Sequence, residues 1–283
     1  MSRYSLITGG SKGLGAHLVR RFWLEGYNLI VVARSELKIY SLLDGLPKRR
    51  DQSATYLVCD LADAAKVSTL IDGIKATIPH LDVLVNNAAI QGPIGPLIDN
   101  DILAWQQTLQ VNLYAPVALC KGLIPMMRRP GGASIINLSG GGATGPRANF
   151  SAYATAKAGL VRFSETIAQE LRCNGIRVNC IAPGAMKTEM LNEVLEKSVA
   201  AGSLEASLAK KVYLKGGASM ELVADLALFL AGDASKGISG KLISAVWDRW
   251  EHWPQHLEEL QRSDAFTLRR IVGRDRNMAW GDK

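Results

Sequence analysis

The chain has 283 residues, of which 48% are hydrophobic and 21% charged, the composition of an ordinary folded globular protein. Charges and glycines in the first thirty residues argue against a secretory signal, and no apolar run reaches the roughly 18 residues of a membrane span. The net charge of +7 is spread along the chain without a Lys/Arg block, so we do not expect nucleic-acid binding. Four scattered cysteines without a C-x-x-C pair fit the reduced thiols of a cytoplasmic protein.

Short apolar runs alternate with segments of helical periodicity. Strands are predicted at residues 4–8, 28–33, 55–60, 81–89, 133–139, 176–183 and 240–246, and helices at 13–25, 35–43, 62–78, 103–128 and 152–174. Strands that are apolar throughout are typical of a parallel sheet covered on both faces. We therefore predict an α/β fold, a doubly wound parallel sheet of about seven strands, as one domain over residues 1–246. A Trp-rich C-terminal extension, residues 247–283, would pack on the domain or on a neighbouring subunit.

Glycines are concentrated in the turn after the first strand, which reads TGGSKGLG over residues 8–15. A turn at this point lets a phosphate group lie on the N-terminus of the following helix. Gly9 would allow the sharp turn, Gly13 the close approach of a pyrophosphate, and Gly15 the packing of the helix on the sheet. Because the spacing differs from G-x-G-x-x-G, the turn by itself leaves a purely structural role open.

Further motifs follow in register with the predicted strands. NNAA at residues 86–89 comes after the fourth strand, and Ser139 comes after the fifth. YATAK at residues 153–157 lies in a long helix, and PGAMKT at residues 183–188 follows the sixth strand. With the glycine turn, this ordered set resembles the short-chain dehydrogenase/reductase family over about residues 3–246. The resemblance implies a Rossmann-like fold and an oxidoreductase that uses a nicotinamide cofactor.

The resemblance also assigns roles to three side chains. Tyr153 would be the general acid that gives a proton to a carbonyl oxygen while hydride arrives at the carbon. Lys157, one helical turn further on, would lower the pKa of Tyr153 and hold the ribose hydroxyls of the nicotinamide. Asn112 would continue a proton relay through water to Lys157. Without the other motifs, Tyr153 and Lys157 would be an ordinary surface pair.

The serine that hydrogen-bonds the substrate oxygen in this family is displaced here. The residue thirteen positions before Tyr153 is Gly140, and the nearest serine is Ser139. We expect the flexible SGGG loop to bulge and to bring Ser139 into the catalytic role. Ser151 is an alternative, although it also suits a helix N-cap.

Positive charges near the glycine turn favour NADP(H) over NAD(H). Enzymes that select NAD usually carry an acid at the end of the second strand, where this chain has Arg34. A guanidinium suits a 2′-phosphate, and Lys12 adds a second positive charge, unless both side chains are simply exposed. By resemblance, the cofactor site comprises Gly9, Ser11, Lys12, Gly13, Leu14, Gly15, Arg34, Asp60, Leu61, Asn87, Ala88, Tyr153, Lys157, Pro183, Gly184, Met186 and Thr188.

The substrate side is less defined. Arg147, near the expected mouth of the site, would meet an anionic or hydroxyl-rich substrate, unless it is a solvent-exposed loop residue. Trp247, Trp250 and Trp253 share one face of a helical turn. Because exposed tryptophan is unfavourable, the extension covers the core or a neighbouring subunit, or it lines the substrate pocket through residues such as Trp247. Aromatic faces beside polar groups would suit a sugar-like or aminocyclitol-like ketone.

We therefore expect an NADP-dependent oxidoreductase that interconverts a ketone and a secondary alcohol. A 3-oxoacyl-thioester reductase and a non-catalytic nucleotide sensor are the alternatives, and the intact Tyr153, Lys157 and Asn112 argue against the sensor. By analogy with the family, the protein would be a cytoplasmic homodimer or homotetramer assembled through its long helices. No metal site is expected, since the four histidines have no further ligands at a suitable spacing, and neither nucleic acid nor a membrane is expected as a partner.

Overall fold

A computed structural model describes residues 2–278 of the chain. Within them, seven parallel strands form one sheet in the order β3-β2-β1-β4-β5-β6-β7. The expected doubly wound α/β fold is therefore confirmed. The last five residues of the predicted extension, 279–283, lie outside the described residues. The strands are β1 (Arg3–Thr8), β2 (Tyr27–Ala33), β3 (Ala54–Val58), β4 (Val83–Asn86), β5 (Ala133–Leu138), β6 (Ile176–Ala182) and β7 (Leu242–Ser244).

Helices follow the strands and cover both faces of the sheet. The segment predicted as one helix over residues 103–128 is divided into two α-helices by a π-helical turn, Gln110–Tyr114. Short 3₁₀ turns lie at Leu97–Asp99, Arg172–Asn174, Asp233–Ser235, Trp250–His256 and Gly273–Arg276. The α-helices are α1 (Gly13–Leu24), α2 (Glu36–Asp44), α3 (Ala64–Thr77), α4 (Ile102–Leu109), α5 (Ala115–Met127), α6 (Ser151–Glu170), α7 (Glu189–Glu196), α8 (Ser198–Ala201), α9 (Ser203–Lys215), α10 (Met220–Ala231) and α11 (Leu257–Arg262).

The central strands are buried on both faces, which explains their continuous apolar sequences. Every residue of β2 is buried. Because neighbouring side chains of a strand point to opposite faces, Leu6 and Ile7 of β1 belong to two different core clusters. Ile7 packs with residues of α1 and α10, whereas Leu6 packs with residues of α3 and α5. The helices are thus fixed on opposite faces, and the loops at the carboxyl ends of the strands remain free to form a site.

The extension after β7 packs against this domain through its tryptophans. Trp250 and Trp253 are only 6% and 8% exposed and belong to the same cluster as α10. The Trp250 ring centre lies 5.2 Å from that of Phe229 on α10. Trp247, in contrast, is 84% exposed. Two of the three tryptophans therefore complete the core.

The extension also covers the free edge of β7. The backbone N–H of Leu242 donates a 2.8 Å hydrogen bond to the carbonyl of Phe266. The N–H of Ser244 donates to the Asp248 carboxylate at 2.7 Å. Lys241 donates from Nζ to two further carbonyls of the extension, at 3.1 and 2.9 Å. The backbone donors on the outer side of this short strand are thus satisfied within the chain.

The four cysteines are free thiols, with Cys173 exposed and Cys59, Cys120 and Cys180 buried. Burial raises the pKa of both Cys120 and Cys180 to about 12, so neither provides a thiolate at neutral pH. Between residues 2 and 278, no helix has both the length and the apolar character that crossing a bilayer requires. Nor does the described part of the chain bring together three or more His, Cys, Asp or Glu side chains as a metal site would.

Candidate active site

A groove of about 550 Å³ opens at the carboxyl edge of the sheet. It lies between β1 and β4, where the order of the strands in the sheet reverses, the position at which open α/β sheets form a ligand crevice. Every residue that the resemblance assigned to the cofactor site lines this groove, except Gly184. A Cβ atom on Gly184 would lie 3.0 Å from side-chain atoms of Ala218 and Val246, so this glycine packs loops together behind the groove.

The glycine-rich turn closes against the loop after β4. A Cβ atom on Gly15 would overlap the carbonyl oxygen of Gly9 and stand 2.8 Å from the Asn87 amide nitrogen. The Thr8 hydroxyl joins the two loops, because it accepts hydrogen bonds from the backbone N–H groups of Asn87 and Ala88 at 3.0 and 3.1 Å. In the described structure no side chain caps the first turn of α1, so its N–H groups remain available to an anion.

Basic side chains gather at one end of the groove. Lys12, Arg34 and Lys38 all line it. Burial, followed by the positive charges of Lys38 and Arg34, lowers the pKa of Lys12, so the three charges lie within electrostatic reach of one another. Lys12 also forms an ion pair with Glu189 of α7, and Glu193 lies in the same wall. A cluster of like charges of this kind suits an anionic ligand.

Tyr153 and Lys157 lie one turn apart on α6, and both reach the groove. Tyr153 is 7% exposed and Lys157 is 2% exposed. The Lys157 Nζ atom lies 5.7 Å from the centre of the Tyr153 ring and donates a 2.7 Å hydrogen bond to the carbonyl of Leu138. The two residues therefore form a buried pair and not the surface pair that their spacing alone would permit.

Burial dominates the ionisation of both groups. It raises the pKa of Tyr153 to about 12, against the opposing charge of Arg147, and lowers the pKa of Lys157 to about 8. The positive charge that opposes burial at Tyr153 is that of Arg147, while the Lys157 ammonium is bound to the Leu138 carbonyl. The assistance of Lys157 to Tyr153 stays a prediction. At neutral pH Tyr153 holds its proton.

The loop after β5 separates the serine from the position nearest the tyrosine. Ser139 lines the groove and is 4% exposed, and its Oγ has no hydrogen-bond partner among the described residues. A Cβ atom on Gly140 would overlap the Tyr153 hydroxyl and stand 2.9 Å from ring atom Cε1. Ser151, the alternative, accepts a 3.1 Å hydrogen bond from the Trp105 indole and does not line the groove. Of the two candidates Ser139 and Ser151, Ser139 is therefore the one that lines the groove, and its catalytic role stays a prediction.

Asn112 lies in the π-helical turn between α4 and α5 and is fully buried. Its carboxamide accepts a hydrogen bond from the Ile90 N–H at 2.9 Å and donates one to the Ile90 carbonyl at 2.8 Å. π-helical turns are frequent at functional sites because they interrupt the regular helix ladder. Asn112 thus fixes the loop after β4, whose Ile90 lines the groove, and the proton relay to Lys157 stays a prediction.

Neither residue predicted to meet the substrate lines the groove. The Arg147 guanidinium forms a two-point ion pair with Glu205, at 3.0 and 2.8 Å, and lies over the Phe150 ring. An anionic substrate would have to displace Glu205, so the structure does not support that contact. Trp247 is 84% exposed, and Trp250 and Trp253 are buried in the core. The expected aromatic face beside the substrate is therefore absent from the described residues.

Sequence reasoning missed part of the groove. Lys38 lies in the first turn of α2, four residues after Arg34, and this closeness in sequence was the available signal. Other groove residues come from packing between distant segments and had no local signal. The residues that were missed are Val32, Ala33, Ser35, Lys38, Cys59, Ala62, Ala89, Ile90, Gln107, Val111, Leu138, Glu189, Met190 and Glu193.

Comparisons with known proteins identify the family. The sequence model of the family described as short chain dehydrogenase matches residues 3–198. The chain belongs to this family. Human "Dehydrogenase/reductase SDR family member 4" is 28% identical over 243 residues, covering 86% of this chain and 85% of the relative. "Cis-4-hydroxycyclohexanecarboxylate dehydrogenase" of Sinomonas cyclohexanicum is 31% identical over 246 residues, covering 86% of this chain and 94% of the relative.

A solved structure of the same family has the same fold. The crystal structure of YwfH, described as an NADPH dependent reductase involved in bacilysin biosynthesis, superimposes with a TM-score of 0.77 at 26% identity, covering 87% of this chain and 97% of YwfH. The chain is thus an oxidoreductase of the short chain dehydrogenase family, whose members bind nicotinamide cofactors. The groove fits such a dinucleotide, since it combines an uncapped helix N-terminus, a close glycine turn and a cluster of basic side chains.

Proposed function

We propose that this protein is an NADP-dependent oxidoreductase that interconverts a ketone and a secondary alcohol. The observation that carries the proposal is the buried pair of Tyr153 and Lys157, which faces the same groove as the glycine turn. A general acid must lie within reach of both the substrate oxygen and the cofactor. This shared groove meets that requirement with residues from α6 and the loop after β1.

Each residue has a separate task in the proposed reaction. A nicotinamide bound in the groove would supply or accept the hydride at the substrate carbon. Tyr153 donates its proton to the carbonyl oxygen during reduction, and its high pKa keeps that proton in place until charge develops. The unpartnered hydroxyl of Ser139 orients the same oxygen by donating a hydrogen bond to it. Lys157 would hold the ribose of a bound cofactor, and Asn112 would support the relay that returns the proton.

The preference for NADP(H) over NAD(H) is supported by the charge at one end of the groove. Arg34 at the end of β2 lies near Lys12 and Lys38, and all three line the groove. A 2′-phosphate carries up to two negative charges, and a guanidinium binds it through paired hydrogen bonds. Glu36, the nearby acid, accepts a 3.0 Å hydrogen bond from the Tyr56 hydroxyl and does not line the groove.

We propose a polar, sugar-like or aminocyclitol-like ketone as the substrate. The hydrogen-bonding groups of Ser139 and Gln107 in the groove support this class. The name of the Sinomonas relative gives a hydroxylated cyclohexane ring as its substrate, which is also a cyclic secondary alcohol. The Trp-rich extension supplies no support, because its buried tryptophans lie in the core.

The test is consumption of NADPH, with NADH in parallel, against keto-sugars and ketocyclitols, acyl-thioesters and bulky apolar ketones. We expect turnover of the first class and at least a hundredfold loss in the Tyr153→Phe variant, because general acid catalysis contributes about 10²- to 10⁴-fold. Turnover of the acyl-thioesters alone would replace the substrate class with a 3-oxoacyl reductase. Tight NADPH binding without turnover of any class would favour a nucleotide sensor.

We also propose a homodimer or homotetramer in the cytoplasm. Ile102 and Leu103 at the start of α4 and Tyr114 at the end of the π-helical turn expose 62%, 70% and 57% of their surface, so these helices have apolar groups to bury against a second copy. The exposed free thiol of Cys173 fits a reducing compartment. Light scattering of the purified protein would give the mass, and a monomer would refute the assembly.

A further inference from the structure

Helix α9 contacts the active-site loop through one forked ion pair. The Arg147 Nε and Nη2 atoms donate to the two carboxylate oxygens of Glu205 at 3.0 and 2.8 Å. The side chains are 19% and 22% exposed, so water screens the pair only partly. The two residues lie 58 positions apart, one in the loop before α6 and one on α9. The pair adds a charged contact between two elements that also share an apolar one, since Ala209 of α9 belongs to the same buried cluster as Phe150.

Arg147 is held in place beside the proton donor. Its guanidinium carbon lies 3.7 Å from the centre of the Phe150 ring, which is fully buried, and 5.9 Å from the centre of the Tyr153 ring. On its other side, a Cβ atom on Gly142 would lie 3.2 Å from the Arg147 Cβ, so the glycine loop packs closely around it. The charge of Arg147 has little freedom to move away from Tyr153.

A second contact docks the neighbouring segment without using charge. The Asn149 amide donates a 3.2 Å hydrogen bond to the carbonyl of Ala201, at the end of α8. The Asn149 carbonyl in turn accepts one from the Gly95 N–H at 2.9 Å. The attachment of α8 to this segment therefore does not depend on the ion pair between Arg147 and Glu205.

Few charged groups face Tyr153. Lys157 lies on the same helix, with its Nζ 5.7 Å from the ring centre and bound to a backbone carbonyl. Arg147 comes from the loop after β5, and its charge opposes the effect of burial on Tyr153. Glu205 is the residue of α9 that pairs with Arg147, and its negative charge thereby lies near that of the guanidinium. The net field of Arg147 at Tyr153 therefore depends on whether Glu205 is in place.

We propose that Arg147 and Glu205 are positioning residues whose opposed charges couple α9 to the proton held by Tyr153. The Glu205 carboxylate offsets the guanidinium and so reduces the field of Arg147 at Tyr153. Without the carboxylate, the uncompensated guanidinium would stabilise the phenolate, and the proton would be released more readily. The coupling rests on the proposed role of Tyr153 as the general acid.

The test reads the ionisation of Tyr153 directly, without any substrate. A fluorinated tyrosine at position 153 titrates in a lower pH range than tyrosine. Its ¹⁹F chemical shift differs between phenol and phenolate, so the midpoint of its titration can be measured. Glu205→Gln should move the midpoint down and Arg147→Gln should move it up. For Arg147, whose guanidinium carbon lies 5.9 Å from the ring centre, we expect about half a pH unit to one unit, and for Glu205, which acts through its contact with Arg147, a smaller shift. Glu196→Gln, which removes an acid of α7 that is exposed, is the matched control and should leave the midpoint unchanged.

The direction of the two shifts separates coupling from simple attachment. Loss of either partner removes the ion pair between α9 and the loop while the apolar contact of Ala209 remains, and hydrogen exchange of α9 should therefore rise moderately in both variants. A purely structural pair would change the Tyr153 midpoint in the same direction in both variants, or in neither, and that result would overturn the proposal. Glu205→Asp keeps the charge and should restore the midpoint, which covers the case in which Arg147→Gln does not fold. If no ketone is turned over, the NMR titration still decides the coupling, and the proposed reaction fails separately.

Discussion

Gly140 lies against the hydroxyl of Tyr153, so closely that a single added carbon atom would occupy the space of the phenol oxygen. In the family that this chain resembles, a serine normally stands at this spacing from the tyrosine. Here the serine is one residue earlier, and its buried hydroxyl has no partner among the described residues. Because residue 140 is a glycine, where the family has a serine, no side chain occupies the space beside the Tyr153 hydroxyl.

Gly140→Ala should therefore displace the Tyr153 ring and reduce turnover at least a hundredfold, since loss of a positioned acid costs about 10²- to 10⁴-fold. NADPH binding, measured by fluorescence, should change little, because the glycine turn lies elsewhere in the groove. Gly141→Ala is the matched control, since its added carbon would meet only ordinary contacts with Arg147, 3.7 Å away at the nearest. Full activity of Gly140→Ala would show that the tyrosine is not held where the structure places it.

Lys157→Met should stabilise the fold at pH 7, although it removes a functional residue. Burial lowers the pKa of Lys157 to about 8, whereas the unfolded chain has the ordinary value of 10.5. Below pH 8 the buried ammonium therefore carries a full penalty, which disappears as pH rises from about 8 to 10.5. After allowing for the lost hydrogen bond to Leu138, we expect a gain of about 1 to 2 kcal/mol in the free energy of unfolding.

Urea titrations of Lys157→Met and the wild-type protein at pH 7, 9 and 10.5 check this prediction. The difference between the two should shrink as the pH rises. A variant that is less stable at every pH would show that the ammonium group is a net stabilising partner of the Leu138 carbonyl.

Arg34→Ala should weaken NADPH binding by about 10- to 100-fold, the value of a charge-assisted hydrogen bond to phosphate. NADH lacks the 2′-phosphate, so its dissociation constant should stay within about twofold. Isothermal titration of both cofactors gives the comparison. Arg50→Ala removes an equal charge from an exposed residue that does not line the groove, and it should affect neither cofactor. An equal loss of affinity for both cofactors would mean that Arg34 maintains the shape of the groove and does not bind the 2′-phosphate.

Trp250→Ala should destabilise the protein by about 3 kcal/mol, because it opens a large cavity against α10. Trp247→Ala is a matched control from the same segment, and its 84% exposure predicts a change within about 0.5 kcal/mol. Thermal unfolding of both variants tests this difference. A changed KM in Trp247→Ala would restore the hypothesis that this side chain meets the substrate.

The sheet was predictable because each strand carries its own local signal. The buried strand β2 contains the continuous apolar run LIVVA, residues 29–33, which can be recognised without any partner. The π-helical turn around Asn112 was not predictable, since its side-chain hydrogen bonds go to Ile90, which is 22 positions away. Periodicity placed Trp250 and Trp253 on one face but could not say what covers that face. The pair of Arg147 and Glu205 is likewise a product of tertiary structure, and sequence alone left Arg147 available for a ligand.

The covering of β7 has a consequence for how copies of this protein can meet. An uncovered edge strand offers a row of backbone donors and acceptors to any other chain, and it is a common route to strand-to-strand aggregation. Here Phe266 and Asp248 take up the outward N–H groups of Leu242 and Ser244. The sheet therefore cannot continue into that of a neighbour at this edge unless the extension first peels away. A chain truncated after β7 would lose part of its core and, at the same time, its protection against open-ended assembly.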